Sequence, residues 1–76
     1  MPHVIVKLQS GRSVQQKARI AAAVTNAVVA EALCDEDAVS VSIEDVQASD
    51  WTAEVYKPDI LGAWDRLYKK PGYRPR

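Results

Sequence analysis

Met1-Pro2-His3-Val4-Ile5-Val6-Lys7-Leu8 opens the chain, and its reading decides the fold. From Pro2 the stretch alternates with period two: Pro2, Val4, Val6 and Leu8 point one way, and His3, Ile5 and Lys7 the other. The β-branched Val4, Ile5 and Val6 favour a strand. Pro2 is expected at the strand's first position, where its missing N–H costs least. Proline has a small side chain, after which an initiator Met is normally removed. Pro2 would then carry a free secondary amine, able to take up and release protons, at a place fixed by the strand. With Met1 retained, the same nitrogen is an amide and has no such chemistry. His3 is a conceivable acid or base as well, but a solvent-facing or strand-packing role suits an isolated strand histidine.

Behind the strand, Gln9-Ser10-Gly11-Arg12 reads as a turn. Ser13 followed three residues later by Gln16 is a capping-box pattern, and a helix is expected from Val14 to about Leu33. Ala, Gln, Lys and Arg dominate its early part and propagate helix well. From Ile20 to Leu33 only Thr25, Asn26 and Glu31 are polar. That apolar coverage is more than one small sheet can bury, so the helix is expected to meet a second subunit as well. Arg12 sits just before the helix N-terminus, an end that favours anions. It therefore either faces water or is there to bind a carboxylate. Cys34-Asp35-Glu36-Asp37 reads as an acidic connection, with Cys34 packing as a small hydrophobe.

Ala38 to Glu44 alternates again, with Val39, Val41 and Ile43 on one side and Ser40, Ser42 and Glu44 on the other. Strand, long helix and strand make a β-α-β unit of the α/β (α+β) class, with parallel strands and a right-handed crossover expected. Two strands form a marginal sheet. No internal repeat supplies more, so a second copy of the chain is expected to complete it. Beyond a loop at Asp45–Ser49, Ser49 or Asp50 can cap a short helix from Trp51 to Tyr56, which Pro58 would end or kink. Ile60, Leu61, Trp64, Leu67 and Tyr68 then follow helical spacing, and Lys69-Lys70-Pro71-Gly72-Tyr73 breaks it.

The composition limits the classes of function. Seventy-six residues make one domain, 1–76, too small for a deep private core. Cys34 is the single cysteine, so no intrachain disulfide can form, and a lone thiol suits the cytoplasm. One His and one Cys do not make a four-ligand zinc site of the usual type. Ten Lys+Arg balance ten Asp+Glu, which leaves no general electrostatic footprint for nucleic acid. Lys69-Lys70 and Arg74-Pro75-Arg76 read as a solvated basic tail. No apolar run approaches a membrane span, and polar residues arrive too early for a signal peptide. With 47% hydrophobic residues, self-association is the remaining route to a stable fold.

Taken together, the opening Pro-His-Val-Ile-Val-Lys-Leu strand, the Gly11-Arg12-Ser13 turn followed by Gln15-Gln16-Lys17, and the second strand Ser40-Val41-Ser42-Ile43-Glu44 resemble the 4-oxalocrotonate tautomerase family. The ending Leu67-Tyr68-Lys69-Lys70-Pro71-Gly72-Tyr73 is similar to that of its small bacterial phenylpyruvate-type subgroup. The resemblance covers essentially the whole chain. It implies a β-α-β subunit that assembles as a dimer or a trimer of dimers. It also implies a keto–enol tautomerase, an isomerase acting on a small 2-oxo acid or its enol such as phenylpyruvate, with no cofactor and no metal. By position, Pro2 takes the role of general base, Arg12 that of carboxylate-binding arginine, and Trp51 that of the apolar pocket aromatic. Better-known hexameric members carry a second arginine where this chain has Ser40. A dicarboxylate substrate is thereby disfavoured, and Ser40 becomes a substrate-binding candidate for an acid with one carboxylate.

The chemistry suits these residues. Ketonising an enol needs a base for the hydroxyl proton and an acid for carbon, and one amine can serve as both. A free α-amino group titrates near about 8. A site of low dielectric and a neighbouring Arg12 cation would lower that value and make a better base at working pH. Two alternatives have other signatures. Hydration or dehalogenation of unsaturated acids would use a protonated proline and a nearby carboxylate, for which only Glu44 and Asp45 are at hand. A non-catalytic self-associating module would lack activity altogether.

Overall fold

The computed structural model describes residues 1–74. Strand β1 (His3–Gln9) turns into helix α1 (Val14–Ala32), and strand β2 (Ser40–Val46) returns parallel to β1. The register pairs His3 with Ser40, Val4 with Val41 and so on to Gln9 with Val46. This is the expected β-α-β unit. Pro2 stands just ahead of β1, and its carbonyl oxygen accepts the Ser40 N–H at 3.2 Å, so the strand pairing begins there.

The start of α1 follows its sequence closely. Ser13 Oγ accepts the Gln16 N–H at 3.0 Å, while Gln16 Oε1 accepts the Ser13 N–H at 2.9 Å. Both halves of the capping box are therefore present, and two otherwise unpaired donors are satisfied. Ahead of it the chain turns at Gly11 with φ +130°, a conformation that side chains with a Cβ rarely adopt. The helix ends one residue before the expected Leu33, which takes a left-handed conformation at φ 54° and ψ 54°. Cys34 is half-buried there.

Several boundaries differ from the sequence reading. A short 3₁₀ turn, Glu36–Ala38, takes up the residues before Val39, so β2 begins at Ser40 and runs two residues past Glu44 to Val46. The loop expected at Asp45–Ser49 is correspondingly shorter, and Ala48–Asp50 forms another 3₁₀ turn with no side-chain cap. The following helix does not stop at Pro58: it spans Thr52–Ile60 in π form, with hydrogen bonds reaching five residues back. In an α-helix the Pro58 ring would meet the carbonyl of Glu54; widening the turn relieves that clash. A 3₁₀ segment, Leu61–Arg66, completes the helical region, with Ala63 out of helical geometry. Leu67 and Tyr68 lie beyond it, and Tyr68 is fully exposed, although their spacing suggested helix. Pro75 and Arg76 of the basic tail lie outside the described residues.

α1 packs mainly along β2, and its Lys17 donates to Asp45 at the far end of β2 at 2.7 Å. Asp45 shares a sheet face with Val4, Val6, Leu8, Val41 and Ile43, so that face is the one turned to α1. The opposite face carries Ile5, which is half exposed, and Lys7, whose ammonium reaches Asp59 of the π-helix at 2.5 Å. Hydrogen bonding to Asp59 raises the Lys7 pKa above the ordinary 10.5.

Val55 and Tyr56 are the only buried hydrophobic residues among those described, and α1 has none. The chain exposes 5930 Å², where a compact monomer of 8.4 kDa would expose about 4,600 Å². Its radius of gyration is 13.9 Å, against about 11.4 Å for a compact domain of this length. The elements are well formed, but one chain does little to cover them. No described helix is long and apolar enough to cross a membrane.

Candidate active site

β1 divides the candidate residues into two groups. At its N-terminal end stand Pro2, His3 and Ser40. Pro2 is half-buried, and Met1 ahead of it is fully exposed. The His3 Nδ1 and Ser40 Oγ lie 2.6 Å apart in a cross-strand hydrogen bond. Together with the Ser40 N–H on the Pro2 carbonyl, this bond fixes the strand end that carries the proline. His3 and Ser40 are both exposed, so the Ser40 hydroxyl faces the same open side as the imidazole.

Arg12 and Trp51 stand at the other end. They line one cavity of about 210 Å³ with Lys7, Leu8, Gln9 and Tyr73. Arg12 is held by a bond from Nη1 to the Gln9 carbonyl oxygen at 2.9 Å, which ties the guanidinium to the last residue of β1. The Lys7 charge in the same cavity is engaged by Asp59. Arg12 is thus the cation best placed to receive an anionic ligand there, and the indole of Trp51 supplies an apolar wall. A second hollow of about 350 Å³, formed by Arg12, Gln16, Arg19, Ile20 and Ala23, opens on the helix side. Larger hollows of about 540 Å³ border the C-terminal segment, but neither contains Pro2 or Arg12.

Seven residues at about 3.3 Å each set the two ends of β1 roughly 20 Å apart. Within one chain, the structure joins Arg12 to Trp51 and Pro2 to Ser40, but does not bring the two pairs together. The expected depression of the proline amine by Arg12 therefore does not arise within a single chain. The two carboxylates weighed for hydratase chemistry also stand away from Pro2. Glu44 is opposite Lys7, and Asp45 is opposite Leu8 and paired with Lys17. Among the described residues, no group of three His, Cys, Asp or Glu side chains could hold a metal ion.

Tyr73 lines the Arg12 cavity, although the sequence reading used it only as part of a helix-breaking motif. Its ring lies 5.6 Å from that of the buried Tyr56, tilted by 49°, and its hydroxyl oxygen accepts the Trp51 Nε1–H at 2.8 Å. A signal was available: an indole N–H near a cavity needs an acceptor, and the tail offers a tyrosine just after the Pro71-Gly72 turn.

A β-α-β subunit with a proline at the head of β1 and an arginine past its end is the arrangement that the resemblance to the tautomerases implied. The comparisons agree. The family described as "Tautomerase enzyme" matches residues 2–57. A "Probable tautomerase" of Xylella fastidiosa (strain 9a5c) is 45% identical over 73 residues, which is 96% of this chain and 89% of the relative. "Tautomerase PptA" of Enterobacter sp. (strain 638) is 35% identical over 74 residues, covering 96% of this chain and 97% of the relative. The protein of the same name from Escherichia coli O127:H6 (strain E2348/69 / EPEC) is 31% identical over the same coverage. The chain belongs to the tautomerase family.

Proposed function

We propose that this protein is a keto–enol tautomerase of small 2-oxo acids such as phenylpyruvate, with Pro2 as general base once Met1 is removed and no cofactor involved. The secondary amine takes the proton of the enol hydroxyl. The electron pair of that O–H bond forms the carbonyl, the C=C bond opens, and its electron pair takes a proton from the resulting ammonium at C3, the carbon next to the new carbonyl. The amine returns to its starting state. Arg12 binds the carboxylate through charge-assisted hydrogen bonds, and Trp51 walls the aryl or alkyl group. Ser40 offers a hydroxyl at the same end of β1 as Pro2, on the His3 side of the sheet, in place of a second cation, so a substrate with a single carboxylate suits the site.

The observation that carries this reading is the separation of Pro2 from the Arg12–Trp51 pair along β1. A small 2-oxo acid cannot bridge it within one chain. Two copies related by a two-fold axis, with their β1 strands antiparallel, bring each Pro2 to the Arg12 end of the other. The excess of about 1,300 Å² over a compact monomer's surface is of the size each partner of a large obligate interface covers. The functional unit is then a homodimer, alone or within a trimer of dimers.

The test is subunit complementation. Pro2→Ala and Arg12→Ala chains, each strongly impaired at low substrate, are mixed, unfolded and refolded together. Shared sites restore about a quarter of wild-type kcat/KM for phenylpyruvate enol, because half of the dimers are mixed and each mixed dimer has one intact site. No restoration, with both variants folded, would refute a shared site. Wild-type protein freed of Met1 that does not ketonise phenylpyruvate enol would refute this substrate.

A further inference from the structure

We infer that Tyr73, in the tail behind the last helical segment, donates its hydroxyl proton to a ligand oxygen in the Arg12 cavity, as a second carboxylate-binding group beside the guanidinium. The inference begins with a count of donors. An indole N–H can only donate, so in the 2.8 Å bond between Trp51 Nε1 and the Tyr73 hydroxyl, the tyrosine oxygen is the acceptor. The hydroxyl's own proton is therefore directed elsewhere.

The ring is not free to choose its direction at will. It rests on Tyr56, which is only 4% exposed, with centroids 5.6 Å apart. The indole holds its oxygen from the other side. Two contacts thus fix a residue in a segment that has no helix or strand of its own, and they leave it lining the cavity with Arg12, Lys7 and Trp51. Lys7 donates to Asp59, so Arg12 and the Tyr73 O–H are the polar donors best placed for a ligand. A guanidinium and a phenol O–H in one small cavity suit a planar carboxylate, whose oxygens together accept several hydrogen bonds.

This deepens the preceding reading and rests on its assignment of the carboxylate to the Arg12 cavity, so the experiment separates the two. Binding of 3-phenylpropanoate and of the neutral 3-phenylpropanamide is measured by titration calorimetry on full-length protein freed of Met1. Wild type, Tyr73→Phe, Arg12→Ala and, as a control, Tyr68→Phe at a fully exposed tyrosine are compared. Tyr73→Phe keeps the ring on Tyr56 and removes only the hydroxyl.

The expected result is at least about a tenfold loss of affinity for the carboxylate in Tyr73→Phe, with amide binding little changed, because the lost bond is to a charged group. A parallel rise in KM for phenylpyruvate enol, with kcat within about twofold, would accompany it, since the interaction is made in ground and transition states alike. A loosened Trp51 would instead weaken acid and amide equally, and that result overturns the inference. If Arg12→Ala loses carboxylate affinity and Tyr73→Phe does not, the inference fails and the proposed function stands. Failure of both variants to lose it, or absence of carboxylate binding to wild type, overturns both.

Discussion

Pro2 and Ser40 are joined through their backbones: the Ser40 N–H donates to the Pro2 carbonyl oxygen at 3.2 Å. The proline ring carries its nitrogen on the same residue, so the second strand holds the end of the first that bears the proposed base. A pyrrolidine held at its carbonyl has few directions in which to point its amine, and little entropy is lost in aiming it.

From this follows the outcome of blocking the amine. Acetylating Pro2, or retaining Met1, converts the nitrogen to an amide that cannot accept the enol proton. Activity should disappear while the circular dichroism spectrum stays unchanged. Pro2→Ala keeps a primary amine at a shifted position and should lose most of kcat but not all. Protein with Met1 proven present by intact mass, yet as active as processed protein, would remove Pro2 from the mechanism.

Ser40→Ala should separate scaffold from substrate contact. The backbone bond to Pro2 survives this change, while the His3 hydrogen bond at 2.6 Å is lost. The thermal midpoint should fall slightly, by what a surface hydrogen bond of about 0.5–1.5 kcal/mol allows. KM should rise if the hydroxyl also contacts the substrate, and an unchanged KM would remove Ser40 from the binding site.

Gly11 positions Arg12. Gly11→Ala meets no neighbouring atom, so its cost is conformational, from φ +130° alone. Stability should drop by about 1 kcal/mol or more in urea titration, and KM should rise as the Gln9–Arg12 bond is displaced. Ser13→Ala next door breaks the capping box and should cost about 1 kcal/mol with less effect on KM.

The Lys7–Asp59 pair predicts a pH dependence. Its hydrogen bond raises the lysine pKa, so the charged form is favoured by folding. That contribution is fully present below the unfolded value, near 10.5, and is lost as pH rises through the higher folded value. The stability difference between wild type and Lys7→Met should therefore shrink as urea titrations move from neutral pH to above 10.5. The lysine is at the surface, so a small effect that salt reduces is expected. A difference that grows in alkali would contradict the pairing.

The strands, the long helix and its cap were legible because each rests on local rules: alternation, apolar periodicity, and Ser13 with Gln16 at capping distance. The candidate residues were legible only as types. Period-two alternation puts Pro2 at one end of a strand and Arg12 past the other, but it does not say whether the two act within one chain or between two. The π-helix was missed because Pro58 was weighed as an end or a kink, whereas the chain accommodates it by widening the turn. Tyr73 was missed because its place depends on Trp51 and Tyr56, residues 22 and 17 positions away, and the need of the Trp51 indole for an acceptor does not by itself say which distant group supplies it.

The scarcity of buried residues bears on how the chain comes to be folded at all. Ordering a residue's backbone costs about 1–2 kcal/mol of entropy, and Val55 and Tyr56 are the only buried hydrophobic side chains among the described residues to set against it. On the dimer reading, the step that secures the native state is an encounter between chains, and its rate is second order in protein concentration. Refolding half-times should then lengthen on dilution, and newly made chains at low abundance would spend longer open to proteases than the same chains at high abundance.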